Sequence, residues 1–150
     1  MKKLFTIGYE QSNAQDFFDA LTRAKVATLV DVRAVAASRR PGFSKRQLAA
    51  GLDERGIGYL HLRALGTPKE GRLAARSGKA ERMLEIYERH LATPEARHAL
   101  EELTALAKSG RALCLLCYER DPAHCHRQRL ADELHARLGM SIQHLFCTPV

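Results

Sequence analysis

The chain contains no tryptophan, and aromatic residues make up only 6% of its 150 positions. Platforms on which bases stack are few, chiefly Tyr9, Phe43 and Tyr118, which argues against a dedicated single-strand nucleic-acid binder. No stretch approaches the roughly 18 apolar residues that a membrane span requires, so no membrane role is expected. Met1-Lys2-Lys3 runs into a short strand-like segment without a signal-peptide core or cleavage site, and the expected location is cytoplasmic. In that setting the four cysteines are expected as free thiols and not as a disulfide framework. No internal repeat is visible. What the chain has in excess is positive charge, 24 Lys plus Arg against 17 Asp plus Glu for a net +7, a balance that favours anionic partners.

Length and periodicity point to a single domain over residues 1–150. Lys3 to Gly8 reads as a strand, and Ser12-Asn13-Ala14-Gln15 is a capping-box pattern opening a helix to about Ala24 with Phe17, Phe18 and Leu21 inward. Ala27 to Val32 is nearly all apolar, as expected of a strand buried on both faces. Ser44 to Gln47 repeats the capping pattern ahead of a helix to Gly56, and Tyr59 to Leu62 is a third strand. Arg63 to Lys79 is basic and contains glycine, and reads as a mobile loop. Helices are expected over Glu81 to Leu91 and over Pro94 to Lys108, the latter capped by Thr93. Strands follow at Ala112 to Cys117 and Ile142 to Phe146. Alternation of this kind predicts an α/β fold, a single three-layer domain whose mostly parallel sheet of about five strands carries helices on both faces.

The densest chemistry falls in the segment from Leu113 to Arg127, an apolar strand ending in Cys117 and Glu119 that restarts as a helix headed by Cys125-His126-Arg127. Asp121-Pro122 reads as an N-cap with proline in the first turn, and Gly139 as the stop, so the expected helix runs from about Pro122 to Leu138. Arg127 lies close to the buried stripe of Leu130, Leu134 and Leu138 and therefore calls for a partner: Glu119 or Asp31 in a structural clamp, or an anionic ligand. Gly8-Tyr9-Glu10, Asp31 with Arg33, His61, and Cys117 with Glu119 each stand at the carboxyl end of an expected strand. In a parallel sheet those ends share one edge, the place where such folds bind ligands.

Thr6-Ile7-Gly8-Tyr9, Leu29-Val30-Asp31-Val32-Arg33, Ser38 to Lys45, Gly56 to Leu62 with Leu65-Gly66, and Cys117-Tyr118-Glu119 with Cys125-His126-Arg127 resemble, in order, the motifs of the domain-of-unknown-function family 488. One departure is Thr67, where a second glycine is expected after Leu65-Gly66. The resemblance implies an α/β domain of bacterial or archaeal type with a pocket built from these motifs, and it carries no reaction with it.

Three chemistries compete for these residues. In the first, a phosphate-bearing ligand, a nucleotide or nucleic acid, is bound by Arg33, Arg39, Arg127 and the helix start near Asp121 to Cys125. Tyr9, His61, Cys125 and His126 complete that ligand-binding set, and Glu119, Asp31 and Cys117 are the candidate catalytic groups if the protein is an enzyme. In the second, Cys117 serves rhodanese-like sulfur transfer, although Glu119, Asp121 and Pro122 stand where a thiolate cradle needs small residues and N–H donors. In the third, the domain binds zinc or acts as a non-catalytic interaction module. Cys114 and Cys117 point to opposite faces of a strand and cannot share an ion, which leaves Cys117, Cys125 and His126 or His124. No cofactor is otherwise expected.

Overall fold

The computed structural model describes residues 3–147. Its five strands, β1 (Lys3–Gly8), β2 (Thr28–Asp31), β3 (Gly58–His61), β4 (Leu113–Cys117) and β5 (Ser141–Leu145), form one sheet in the order β3-β2-β4-β1-β5. Every neighbouring pair is parallel. The three layers follow from strand alternation. On β4, Cys114 and Leu116 enter the core beneath α1 (Ala14–Arg23) and α2 (Lys45–Asp53). Leu113, Leu115 and Cys117 face the other core, under α4 (Ala80–Leu91), α5 (Pro94–Lys108) and α6 (Arg127–Leu138). Both faces are apolar because both are covered, the reason β4 reads as an unbroken hydrophobic run and the segment around β2 as a nearly apolar one. The α/β architecture expected from the periodicity is the one observed. Among the described residues no helix is long and apolar enough to cross a membrane.

Local details differ from the sequence reading in three places. The segment from Arg63 to Lys79 is not a loop: a single 3-10 turn at Arg63–Leu65 is followed by α3 (Lys69–Arg76), packed against α4. Its buried side is made only of Gly71 and Ala74, so no large apolar stripe announces it. A Cβ on Gly71 would meet the Thr67 methyl at 2.4 Å, and this close approach explains a glycine inside the helix. At the second place, Pro122–His124 forms a separate 3-10 turn, Cys125 is extended, and α6 begins only at Arg127. Asp121 still caps, accepting a bond from the Ala123 N–H at 2.9 Å. Gly139 ends α6 in the left-handed region at φ 69°, as a glycine C-cap should. Finally, the α1 cap is Asn13, not Ser12, with its side chain accepting from the Asp16 N–H. Ser44 precedes α2 without capping it, and pairs with Ser38 instead.

The connections position the functional edge. β1 and β2 lead to helices on the α1–α2 face, whereas β4 leads to α6 on the opposite face. Where neighbouring strands send their loops to opposite faces, a crevice opens outside the carboxyl ends.

Candidate functional site

A cleft of about 720 Å³ occupies that crevice. Its walls come from the loop after β1 (Tyr9, Glu10), the segment between β2 and α2 (Arg33, Ser38, Arg39), α3 (Arg72, Arg76) and the segment between β4 and α6 (Tyr118, Glu119, Asp121, His124, His126), with Cys117 at the end of β4. Gly8 makes the junction of β1 with the β4–α6 segment, since a Cβ there would lie 1.7 Å from the Glu119 carbonyl oxygen.

Arg33 reaches the cleft but its guanidinium is already engaged. It donates to both carboxylate oxygens of Asp31, at 2.9 and 2.8 Å, and to the Phe43 carbonyl and Tyr9 hydroxyl. Asp31 is fully buried and also accepts from the Tyr59 hydroxyl at 2.6 Å. Burial, reinforced by that bond to Asp31, holds the Tyr59 phenol above its ordinary range. This is a buried ion pair with both ends satisfied, the kind of arrangement that fixes the strand end.

Arg127 resolves as a clamp on backbone. It is wholly buried and donates through Nε to Thr6 Oγ1 at 3.2 Å, through Nη1 to the Glu119 carbonyl, and through Nη2 to the Arg120 carbonyl at 3.1 Å. Neither carboxylate expected as its partner is hydrogen-bonded to it: Asp31 is held by Arg33, and Glu119 offers its carbonyl. Asp31 and Arg127 thus lie behind the cleft wall and not on it. His61 likewise turns its Nε2 to the Arg33 carbonyl at 2.8 Å and is not part of the lining.

The cysteines correct the expectation of free thiols. Cys117 and Cys125 are joined in a disulfide, while Cys114 and Cys147 are free and buried. The short turn at Pro122–His124 folds the chain back so that Cys125 meets the end of β4, an encounter that spacing alone does not reveal. Burial pushes both remaining thiols up, which keeps them protonated and inert. Cys114 lies on the opposite face from Cys117, as strand alternation requires, and so cannot join it around a metal. The ligand atoms of Cys117, Cys125 and His126 fall within 4.8 Å of one another. With the sulfurs bonded to each other, the thiolates that zinc needs are not presented.

His126 is buried beside this disulfide. Its Nε2 donates to the Val32 carbonyl at 2.7 Å, and burial pushes its pKa down to about 4, so the ring is neutral with Nδ1 unprotonated. Glu119 places Oε2 3.2 Å from the Cys117 sulfur, and burial raises its carboxyl above the usual range despite opposing charge from Arg127 and Arg76. The other acids of the wall are turned to backbone: Glu10 accepts from the Arg120 N–H at 3.0 Å and Asp121 from Ala123. Arg39, exposed on the β2–α2 segment, and Arg76, exposed on α3, carry no hydrogen bond to a described residue, and Arg72 donates to the Thr67 carbonyl.

Of the residues marked from sequence, the structure brings Tyr9, Arg33, Arg39, Cys117, Glu119 and His126 to one cleft. Arg72 and Arg76 join them because α3 carries them there; their basic character was visible in the sequence, their placement was not. Fold and cleft together define a parallel α/β protein whose carboxyl-edge crevice is rich in arginine. The family model of the domain of unknown function DUF488 matches residues 13–134, and the chain belongs to that family. No curated protein and no solved structure matches it.

Proposed function

We propose that the cleft binds a small phosphate-bearing ligand, a nucleotide or a related phosphorylated metabolite. The observation that carries this reading is the meeting of Arg39, Arg72 and Arg76 from two separate segments on one concave surface. Guanidinium groups pair with phosphate oxygens in charge-assisted, often bidentate, hydrogen bonds. Arg33 and Arg127 each make three or more bonds to protein partners, whereas Arg72 makes one, to the Thr67 carbonyl, and Arg39 and Arg76 none to a described residue, so recognition rests on these three arginines of the rim. Arg39, Arg72 and Arg76 outnumber Glu10 and Asp121 on the wall, while Arg33 is neutralised by Asp31 and burial disfavours the ionised form of Glu119, which leaves a small excess of positive charge. Tyr118, 45% exposed, stands edge-on to Tyr9 and offers an apolar face to a base or sugar. A carboxyl raised by burial on the wall gives Glu119 the means to exchange a proton with the ligand, and makes it the first residue to test for catalysis.

Calorimetric titration with pyrophosphate and with nucleoside 5′-monophosphates tests the binding directly. Arg39→Ala and Arg76→Ala are each expected to weaken binding by roughly 10- to 100-fold, as for loss of one charge-assisted bond. Nucleosides lacking phosphate are expected to bind far more weakly. Equal affinity for a nucleoside and its monophosphate, or unchanged affinity in both variants, overturns the reading.

A further inference from the structure

The disulfide closes a short ring, residues 117 to 125, around Tyr118, Glu119, Asp121 and His124 of the cleft wall. It is not the ring's sole fastening, because Arg127 also ties the Glu119 and Arg120 carbonyls to the core. Its two sulfurs are also unlike. Both cysteines are about 2% exposed, but Cys117 borders the cleft, whereas Cys125 is not part of its lining and stands two residues before α6. The Arg127 backbone N–H points at the Cys125 sulfur at 3.5 Å, and the Arg127 guanidinium lies 3.9 Å from the Cys117 sulfur. N–H donors at a helix start and a nearby cation both stabilise a thiolate, and a stabilised thiolate is the better leaving group in disulfide exchange.

We propose that Cys117–Cys125 is a thiol–disulfide exchange centre opening on the cleft, with small carboxylate-bearing thiols as its substrates. The thiolate of the first substrate attacks the Cys117 sulfur, forming a mixed disulfide as the bond to Cys125 breaks and Cys125 leaves as a thiolate. A second substrate thiolate then attacks the substrate sulfur of the mixed disulfide and releases Cys117 as a thiolate. The two substrate thiols are oxidised to one disulfide, the protein pair gains the two electrons, and protons equilibrate with water. Once reduced, the Cys117 thiol has Glu119 Oε2 as an acceptor at 3.2 Å. The excess of Arg39, Arg72 and Arg76 over Glu10 and Asp121 along the cleft favours entry of an anionic thiol. This activity uses the same cleft but does not depend on phosphate binding.

The test equilibrates the intact protein with glutathione at graded ratios of reduced to oxidised form, blocks free thiols by alkylation, and reads each cysteine by mass spectrometry. Cys117 and Cys125 are expected to pass together between disulfide and doubly alkylated forms, while Cys114 and Cys147 show no disulfide. In Cys125→Ser one glutathione is expected on Cys117, and in Cys117→Ser none on Cys125. Reduction by glutathione is expected to outpace reduction by cysteamine, a cationic thiol, by roughly tenfold at equal thiolate concentration. The wild-type titration needs no variant to fold. A pair that remains doubly alkylated in oxidised glutathione, a mixed disulfide formed on Cys125, or faster reduction by cysteamine overturns the proposal.

Discussion

Replacing Arg127 by methionine separates a structural arginine from a ligand-binding one. Methionine preserves much of the apolar stem but removes every donor, leaving Thr6 Oγ1 and the carbonyls of Glu119 and Arg120 without this partner. Hydrogen bonds from a charged donor contribute about 1.5 to 3 kcal/mol each, so the two carbonyl bonds together represent roughly 3 to 6 kcal/mol. Removing the guanidinium also relieves the cost of burying an ion, which offsets part of this. A net loss of about 2 to 4 kcal/mol follows. For a chain of this size, at roughly 2 to 4 °C per kcal/mol, the melting temperature falls by on the order of 10 °C. Arg127→Lys retains the charge but not the fork that reaches two carbonyls, and is expected to fall between wild type and Arg127→Met. Calorimetric melting at neutral pH reads the effect. If Arg127→Met melted within about 2 °C of wild type yet lost anion affinity, the clamp assignment would be wrong.

Acid stability follows from His126. A base whose folded pKa of about 4 lies below the unfolded value of 6.5 binds more protons when unfolded, so its contribution is fully present above pH 6.5 and declines as pH falls toward 4. At pH 4.5 the loss is roughly 2 to 3 kcal/mol, and His126→Gln, which keeps a donor for the Val32 carbonyl, is expected to remove that part of the pH dependence in denaturant titrations. An unchanged pH profile in the variant would reject the buried neutral histidine. Gly8→Ala drives a Cβ against the Glu119 backbone and is expected to cost about 3 kcal/mol. Gly56→Ala, whose Cβ meets nothing within 4 Å although φ is +70°, is expected to cost only about 1 kcal/mol; equal unfolding midpoints for the two would contradict the packing of β1 against the β4–α6 segment. Salt dependence distinguishes a small ligand from a polynucleotide: a logarithmic slope shallower than about −3 is expected, and a steeper slope with an oligonucleotide would mean that several phosphates are engaged at once.

The layer order of the fold was legible because its signals are local. β4 is a short apolar run and Ala27 to Val32 a nearly apolar one, α5 has Thr93 and Pro94 at its start, and Gly139 ends α6. Helix α3 was not legible, since its contact with the core is made by a glycine and an alanine with no periodic large side chain. The same limit governed the site. Strand ends gave the correct edge, and Asp31 pairs in register with Leu116 beside Cys117. Which residues face the cleft depends on the pleat and on partners: Asp31 lies on the α1–α2 side with Arg33 and Tyr59, while Cys117 lies on the other face. The disulfide was hidden because the expected cytoplasmic setting favours free thiols, and because the turn at Pro122–His124 decides whether two cysteines eight positions apart meet.

Whether the arginine-lined cleft is an anion site is decided by a crystal structure obtained with phosphate or a nucleotide present. The phosphate group is expected within hydrogen-bond distance of at least two of Arg39, Arg72 and Arg76, with Arg127 still bonded to the Glu119 and Arg120 carbonyls. A ligand phosphate bound elsewhere on the molecule, with the cleft holding only water, would contradict it.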